Sequence, residues 1–157
     1  MQSQAPSRRG AGLAAERPDA TIGAPMSSDR LSYTLEEARE LLPRIRSVLL
    51  QLATERHRYE AAHAAMHDQM RGNGDPVHRG EQLRRQEVLS AQIQEGMDAL
   101  ISHLESLGIQ LRDVENGLVD IPTQRDGQQA WFCWRLADAE LAFWHTTREG
   151  FANRKPL

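Results

Sequence analysis

The stretch Leu107-Gly108-Ile109-Gln110-Leu111-Arg112-Asp113-Val114-Glu115-Asn116-Gly117-Leu118-Val119-Asp120-Ile121 decides the fold. Before it, apolar residues recur at helical spacing. From Ile109 they alternate with polar ones, which is the period of a half-buried strand. Gly108 stands at the change, and a glycine just past the last periodic residue is a helix stop. Asn116-Gly117 is a strong hairpin signal, and it leads into a second alternating run, Leu118-Val119-Asp120-Ile121. The fold class is therefore α+β, with helices upstream of Gly108 and antiparallel strands downstream.

Upstream, Leu83, Leu89, Ile93, Met97, Leu100, Leu104 and Leu107 form the apolar stripe of one helix. Asp75-Pro76 is a good N-cap and first-turn pair for it, but Gly80 weakens the first turns, so its firm part is expected from Glu81. The cluster Arg71-Gly72-Asn73-Gly74-Asp75-Pro76 marks a turn. Before the turn, Leu42, Ile45, Leu49, Leu52, Arg56, Tyr59, His63, Met66 and Met70 follow the alternating spacing of a heptad seam. Thr34 and Glu37 form a capping box that starts this first helix, and Pro43 predicts a kink or short break. Residues 44–70 and 81–106 are near-equal helices of about 40 Å each, and a short polar loop between such helices implies an antiparallel pair.

Downstream, Asp126-Gly127 is a second tight turn, leading into Gln129 through Arg135. A turn at Ala137-Asp138-Ala139 precedes Leu141 through Thr146, and the segment from Gly150 to Arg154 is expected to lie back over the sheet. The reading is a single α+β domain over 32–157: a long antiparallel helical hairpin (34–107) followed by a small antiparallel β-meander and C-terminal tail (109–157). Residues 1–31 lack periodicity and are rich in Ala, Ser, Gly, Pro and Arg, the composition of a disordered N-terminal tail. Met26 is an alternative start, which would leave residues 1–25 untranslated.

The chain is 39% hydrophobic and 26% charged, which is globular composition, with a formal net charge of −3. No basic stripe stands out, which argues against nucleic acid as a partner. No apolar run approaches the roughly 20 residues of a membrane span, so no membrane association is expected. One cysteine, Cys133, excludes an internal disulfide and fits a reducing cytoplasm.

Gly-rich phosphate loops, Cys-x-x-Cys, His-Glu-x-x-His and Gly-x-Ser-x-Gly are absent. Three groups remain as candidates. Asp120, Cys133 and His145 fall on three successive strands; together they offer ligands for zinc or iron, or a thiol with a base and an orienting acid. Parity is the objection, since nothing in the sequence fixes the register of the strand carrying His145. The favoured reading is a buried cysteine acting as a small hydrophobe, with no bound cofactor and slow reaction with thiol reagents. His63 and His67, with His78 in the hairpin tip, form a second set, read as ordinary helix residues. The third set is aromatic: six of the eight Phe, Trp and Tyr residues lie between 131 and 151. That concentration suits the core of a thin sheet, with Trp131, Trp134, Trp144, Phe151 and Arg154 as the alternative interaction surface.

Tyr33-Thr34-Leu35-Glu36-Glu37-Ala38, Leu42-Pro43, Gly117-Leu118-Val119-Asp120, Cys133-Trp134, Phe143-Trp144-His145 and Gly150-Phe151 with Arg154 occur in order. In these motifs the chain resembles a bacterial family known as domain of unknown function 2203, over about residues 32–157. The resemblance implies a bacterial cytoplasmic protein and brings no activity. A non-catalytic interaction or regulatory module is the expected function, acting as a homodimer through the helical hairpin or with another protein partner. The alternatives are a small metal-binding or thiol-dependent enzyme using Asp120, Cys133 and His145, and, more weakly, RNA or ribosome association.

Overall fold

The computed structural model describes residues 32–72 and 75–157; the tail expected over 1–31 and the loop residues Asn73 and Gly74 lie outside the described residues. Helix α1 spans Leu35–Arg71 and helix α2 spans Pro76–Ser106, and the two pack together. They are followed by β1 (Gln110–Asp113), β2 (Leu118–Arg125), β3 (Gln128–Arg135), β4 (Phe143–Thr146) and β5 (Lys155–Pro156). The five strands pair antiparallel in sequence order, one strand more than the four expected, because the end of the chain adds to the edge at β4. No helix among the described residues is long and apolar enough to cross a membrane.

The capping box forms: Thr34 Oγ1 accepts from the Glu37 amide at 3.2 Å, and Glu37 accepts from the Thr34 amide at 2.8 Å. The break expected at Pro43 does not occur, and α1 runs through it. Both Pro43 and Arg39, whose carbonyl loses its helical donor, are exposed, so water can take the freed acceptor. Helix α2 begins at Pro76 rather than Glu81. Asp75 accepts from the Val77 amide at 3.2 Å and pairs with His78 at 2.6 Å, and this cap offsets Gly80.

The seam also differs from a strict heptad. Ile45, Leu49 and Leu52 are buried as expected, but further along Ala62 is buried while His63 is exposed. Ala62 lies two heptads beyond Val48, which is also buried, so the covered line of α1 runs through Val48 and Ala62 as well as through the expected seam.

The core lies at the base of the hairpin. Ala38, Ile45, Val48, Leu49, Leu52 and Leu104 from the helices meet Ile109, Val119, Ile121, Phe132, Trp134 and Leu141 from the sheet region. Tyr33 fastens the join: its hydroxyl donates to the Leu107 carbonyl at 2.9 Å, its amide donates to the Pro122 carbonyl at 2.8 Å, and its carbonyl accepts from Thr123 Oγ1 at 2.8 Å. Arg46 reaches from α1 over the Trp134 ring, 4.9 Å from its centroid, and donates to the Leu136 and Asp138 carbonyls.

Asp126 and Gly127 both have positive φ, as a two-residue turn requires, and this sets Asp120 opposite Cys133. The β1–β2 connection is longer than Asn116-Gly117 alone suggests. Only Gly117 takes a positive φ, and Asp113 caps the four-residue loop by accepting from the Glu115 and Asn116 amides. A two-residue loop would put Asp113 opposite Asp120. Instead Gln110 pairs with Asp120, and a register shift follows between Leu111 and Asp113.

Candidate metal centre

The register resolves the parity left open by sequence. Cys133 pairs with Asp120 on β2 and with Phe143 on β4, while Trp131 pairs with His145. Successive strand residues alternate faces, so Asp120, Cys133, Phe143 and His145 share the sheet face turned away from the core, and Val119, Ile121, Phe132 and Trp134 share the face toward the helices. Both faces are covered: Asp120, Cys133 and His145 are only 3%, 2% and 2% exposed.

One ligand atom from each of the three lies within 4.8 Å of the other two, and among the described residues no other group of three His, Cys, Asp or Glu side chains converges in this way. His145 Nδ1 lies 2.8 Å from the Thr146 carbonyl, which can only accept, so Nδ1 carries the proton. Nε2 faces Asp120 Oδ1 at 3.1 Å, a hydrogen bond that needs a proton between the two atoms, which a bound metal ion would displace. The other oxygen, Asp120 Oδ2, accepts from Arg112 Nε at 2.7 Å, and the Arg112 guanidinium lies over the Trp131 ring. Sequence reasoning missed Arg112. Its signal was weak, because the shift after Leu111 governs where that side chain falls.

Cys133 is a protonated thiol in this setting. Burial pushes its pKa up to about 12, and the nearby Asp120 carboxylate adds to the effect. Arg135 and Arg154 oppose the shift without reversing it. The outer face is closed partly by the C-terminal segment, where Arg154 stacks on Phe143 and Phe151, at 4.6 and 3.8 Å from the ring centroids, and Arg135 stacks on Phe151. Beside the cluster a cleft of about 380 Å³ is lined by Arg112, Asp120, His145, Glu149 and Phe151, among others.

The other two candidate sets do not assemble. His63 is exposed and stacks on Tyr59, His67 pairs with Arg71, and His78 pairs with Asp75, each satisfied locally. Trp131, Trp134, Trp144, Phe151 and Arg154 do not form one surface, which corrects that expectation. Trp131 and Trp134 are buried on opposite faces of β3; Trp144, half-buried, lies on the Trp134 face; Phe151 and Arg154 pack on the Phe143 side. No curated protein and no solved structure matches the chain. The family model described as Uncharacterized conserved protein (DUF2203) matches residues 32–157, a span that takes in both helices, the whole sheet and all three clustered side chains, and the chain belongs to that family.

Proposed function

We propose that the protein binds a divalent transition metal of the zinc type on Asp120 Oδ1, Cys133 Sγ and His145 Nε2. The carrying observation is the convergence of these three atoms within 4.8 Å in a buried setting. A tetrahedral zinc with one sulfur and two lighter ligands needs ligand–ligand separations of about 3.3–3.6 Å, so the 3.1 Å Asp120–His145 pair would open slightly and a pair at the 4.8 Å limit would close by about 1.2 Å. The surroundings fit a metal as well. The Thr146 carbonyl holds the proton of Nδ1, so that Nε2 can exchange its Asp120 contact for a metal, and Arg112 holds the second oxygen of Asp120. Three protein ligands beside a cleft match a site with an open fourth position better than a closed structural one.

The thiol-dependent alternative is less favoured. A thiol pushed up to about 12 is no nucleophile at neutral pH, whereas a metal ion supplies the charge that displaces its proton. Elemental analysis of the purified chain should find one zinc per chain, and both Cys133→Ala and His145→Ala should lose it while remaining folded. Stoichiometric iron would change the metal and keep the site. A folded chain that takes up neither metal would overturn the proposal.

A second reading rests on the helices. Val77 and Val88 are 74% and 58% exposed, beyond the reach of the core at the hairpin base, and Leu50, next to core residue Leu49 in sequence, is 52% exposed. Pairing of two hairpins into a four-helix bundle would cover them and make the protein a dimeric interaction module. Light scattering at micromolar concentration separates the outcomes, with a mass near 17.7 kDa against the dimer and one near twice that for it.

A further inference from the structure

The cleft beside the cluster has a charge balance of its own. A divalent ion with one thiolate, one carboxylate and one neutral imidazole is electrically neutral. Glu149 is matched already: it accepts from the Thr146 hydroxyl at 2.9 Å and from Lys155 Nζ at 3.2 Å, and these partners hold its carboxyl below the usual range. Arg112 is left over. It commits only Nε to Asp120; its two terminal nitrogens have no acceptor among the described residues, and its side chain is 45% exposed. The cleft therefore combines a net positive wall, an open metal position and an apolar side from Leu118 and Phe151 in about 380 Å³, the size of a small-molecule site.

We propose that this cleft binds a small oxyanion, a carboxylate or a phosphate, with one oxygen on the open metal position and another on the terminal nitrogens of Arg112. The proposal rests on the metal reading and adds the ligand class to it. The two terminal nitrogens of the guanidinium can both donate to that second oxygen while Nε stays on Asp120, an arrangement that a single ammonium cannot reproduce. Asp120 couples the two partners, because one of its oxygens faces the metal position and the other holds Arg112 in place.

The test uses the full chain loaded with cobalt(II) in place of zinc, whose visible spectrum reports the coordination shell. Acetate and inorganic phosphate are titrated separately at constant ionic strength. A saturable spectral change with either supports the proposal, and the tighter of the two tells carboxylate from phosphate. Arg112→Gln should keep one cobalt per chain and weaken the response at least tenfold. If Arg112→Gln fails to hold cobalt, Arg112→Lys, which keeps the charge and a donor, should bind the anion several-fold more weakly. Bound cobalt whose spectrum neither anion changes would sink this proposal and leave the metal site standing, as would variants that respond like the native chain. A chain that binds no cobalt would sink both.

Discussion

The inward face of β2–β4 sets Val119, Ile121, Phe132 and Trp134 against the helices, whereas the outward face sets Asp120, Cys133 and His145 beneath a short C-terminal segment. Both are buried, yet folding demands only the first. An α+β layer needs one apolar sheet face against its helices, and apolar area removed from water contributes about 25 cal/mol per Å². A buried carboxylate, imidazole and thiol contribute little of that kind and carry desolvation costs, against which stand the Arg112 bond, the Thr146 carbonyl and the Asp120–His145 contact. Apolar residues of similar volume would serve folding as well on the outer face. The contrast makes the outer face, rather than the inward one, the place to test for a role beyond stability.

The largest effect should come from the inward face. Trp134 is fully buried among residues of α1 and the sheet. Trp134→Ala should cost about 3–5 kcal/mol, read as a lower denaturant midpoint, while the folded fraction still binds metal. A loss below about 1 kcal/mol would mean that this face is not the core.

The next effect belongs to the outer face and depends on pH. Folding raises the Cys133 thiol from an ordinary value of 9.0 to about 12, so the folded state retains a proton that the unfolded state releases. Stability from this source is complete below about pH 9 and is lost as pH rises toward 12, at about 1.4 kcal/mol per unit. Other groups titrate in the same range, so the measurement is the difference in alkaline unfolding between the native chain and Cys133→Ala without metal. Metal affinity should run the other way, strengthening as pH rises, because binding releases the thiol proton. Equal alkaline slopes in the two chains would remove the thiol from the account.

A smaller effect comes from the turns that set the register. Gly117 has φ +59° and lies against the inward side, where an added Cβ would stand 2.8 Å from Leu136 Cβ and 3.5 Å from Leu49 Cδ1. Gly127 has a similar φ of +73° but open space around it. Gly117→Ala should cost about 2–3 kcal/mol and Gly127→Ala about 1 kcal/mol by thermal or denaturant unfolding. Equal losses would show that backbone strain alone decides both.

The two faces also differ in how far the sequence discloses them. Gly108, the alternation after it and the Thr34–Glu37 box announce the helix ends and the change of class through local chemistry. Asp126-Gly127 goes further, because a two-residue turn pairs Arg125 with Gln128 and so places Asp120 opposite Cys133 by counting. His145 cannot be placed by counting. The connection from Leu136 to Ala142 is irregular: Arg135 and Asp138 close a turn through their side chains, and Leu141 packs into the core outside the strand. Its register with β3 is a tertiary outcome. Arg112 is hidden for a similar reason, since Asn116-Gly117 suggests a tight turn where Asp113 in fact caps a longer one. Local signals thus describe the apolar face, while the polar cluster depends on two connections whose geometry is set by packing.

The smallest stability effect should be the most informative for the comparison. Cys133→Ala removes one sulfur atom from a covered position and leaves the Asp120–His145 contact and the Arg112 bond in place. No buried polar group loses a partner, because the thiol has no hydrogen-bond partner among the described residues. The expected cost is therefore about 1 kcal/mol, the size of a small cavity rather than of a broken network. Metal affinity should nevertheless fall at least a hundredfold in a chelator competition, since one of three ligands is gone. These two readouts, taken on one variant, separate the faces: inward substitutions move stability and spare metal, and this one does the reverse. If Cys133→Ala costs as much as Trp134→Ala and metal uptake is unchanged, the outer face is simply a second core, and the convergence of Asp120, Cys133 and His145 has no ligand-binding meaning.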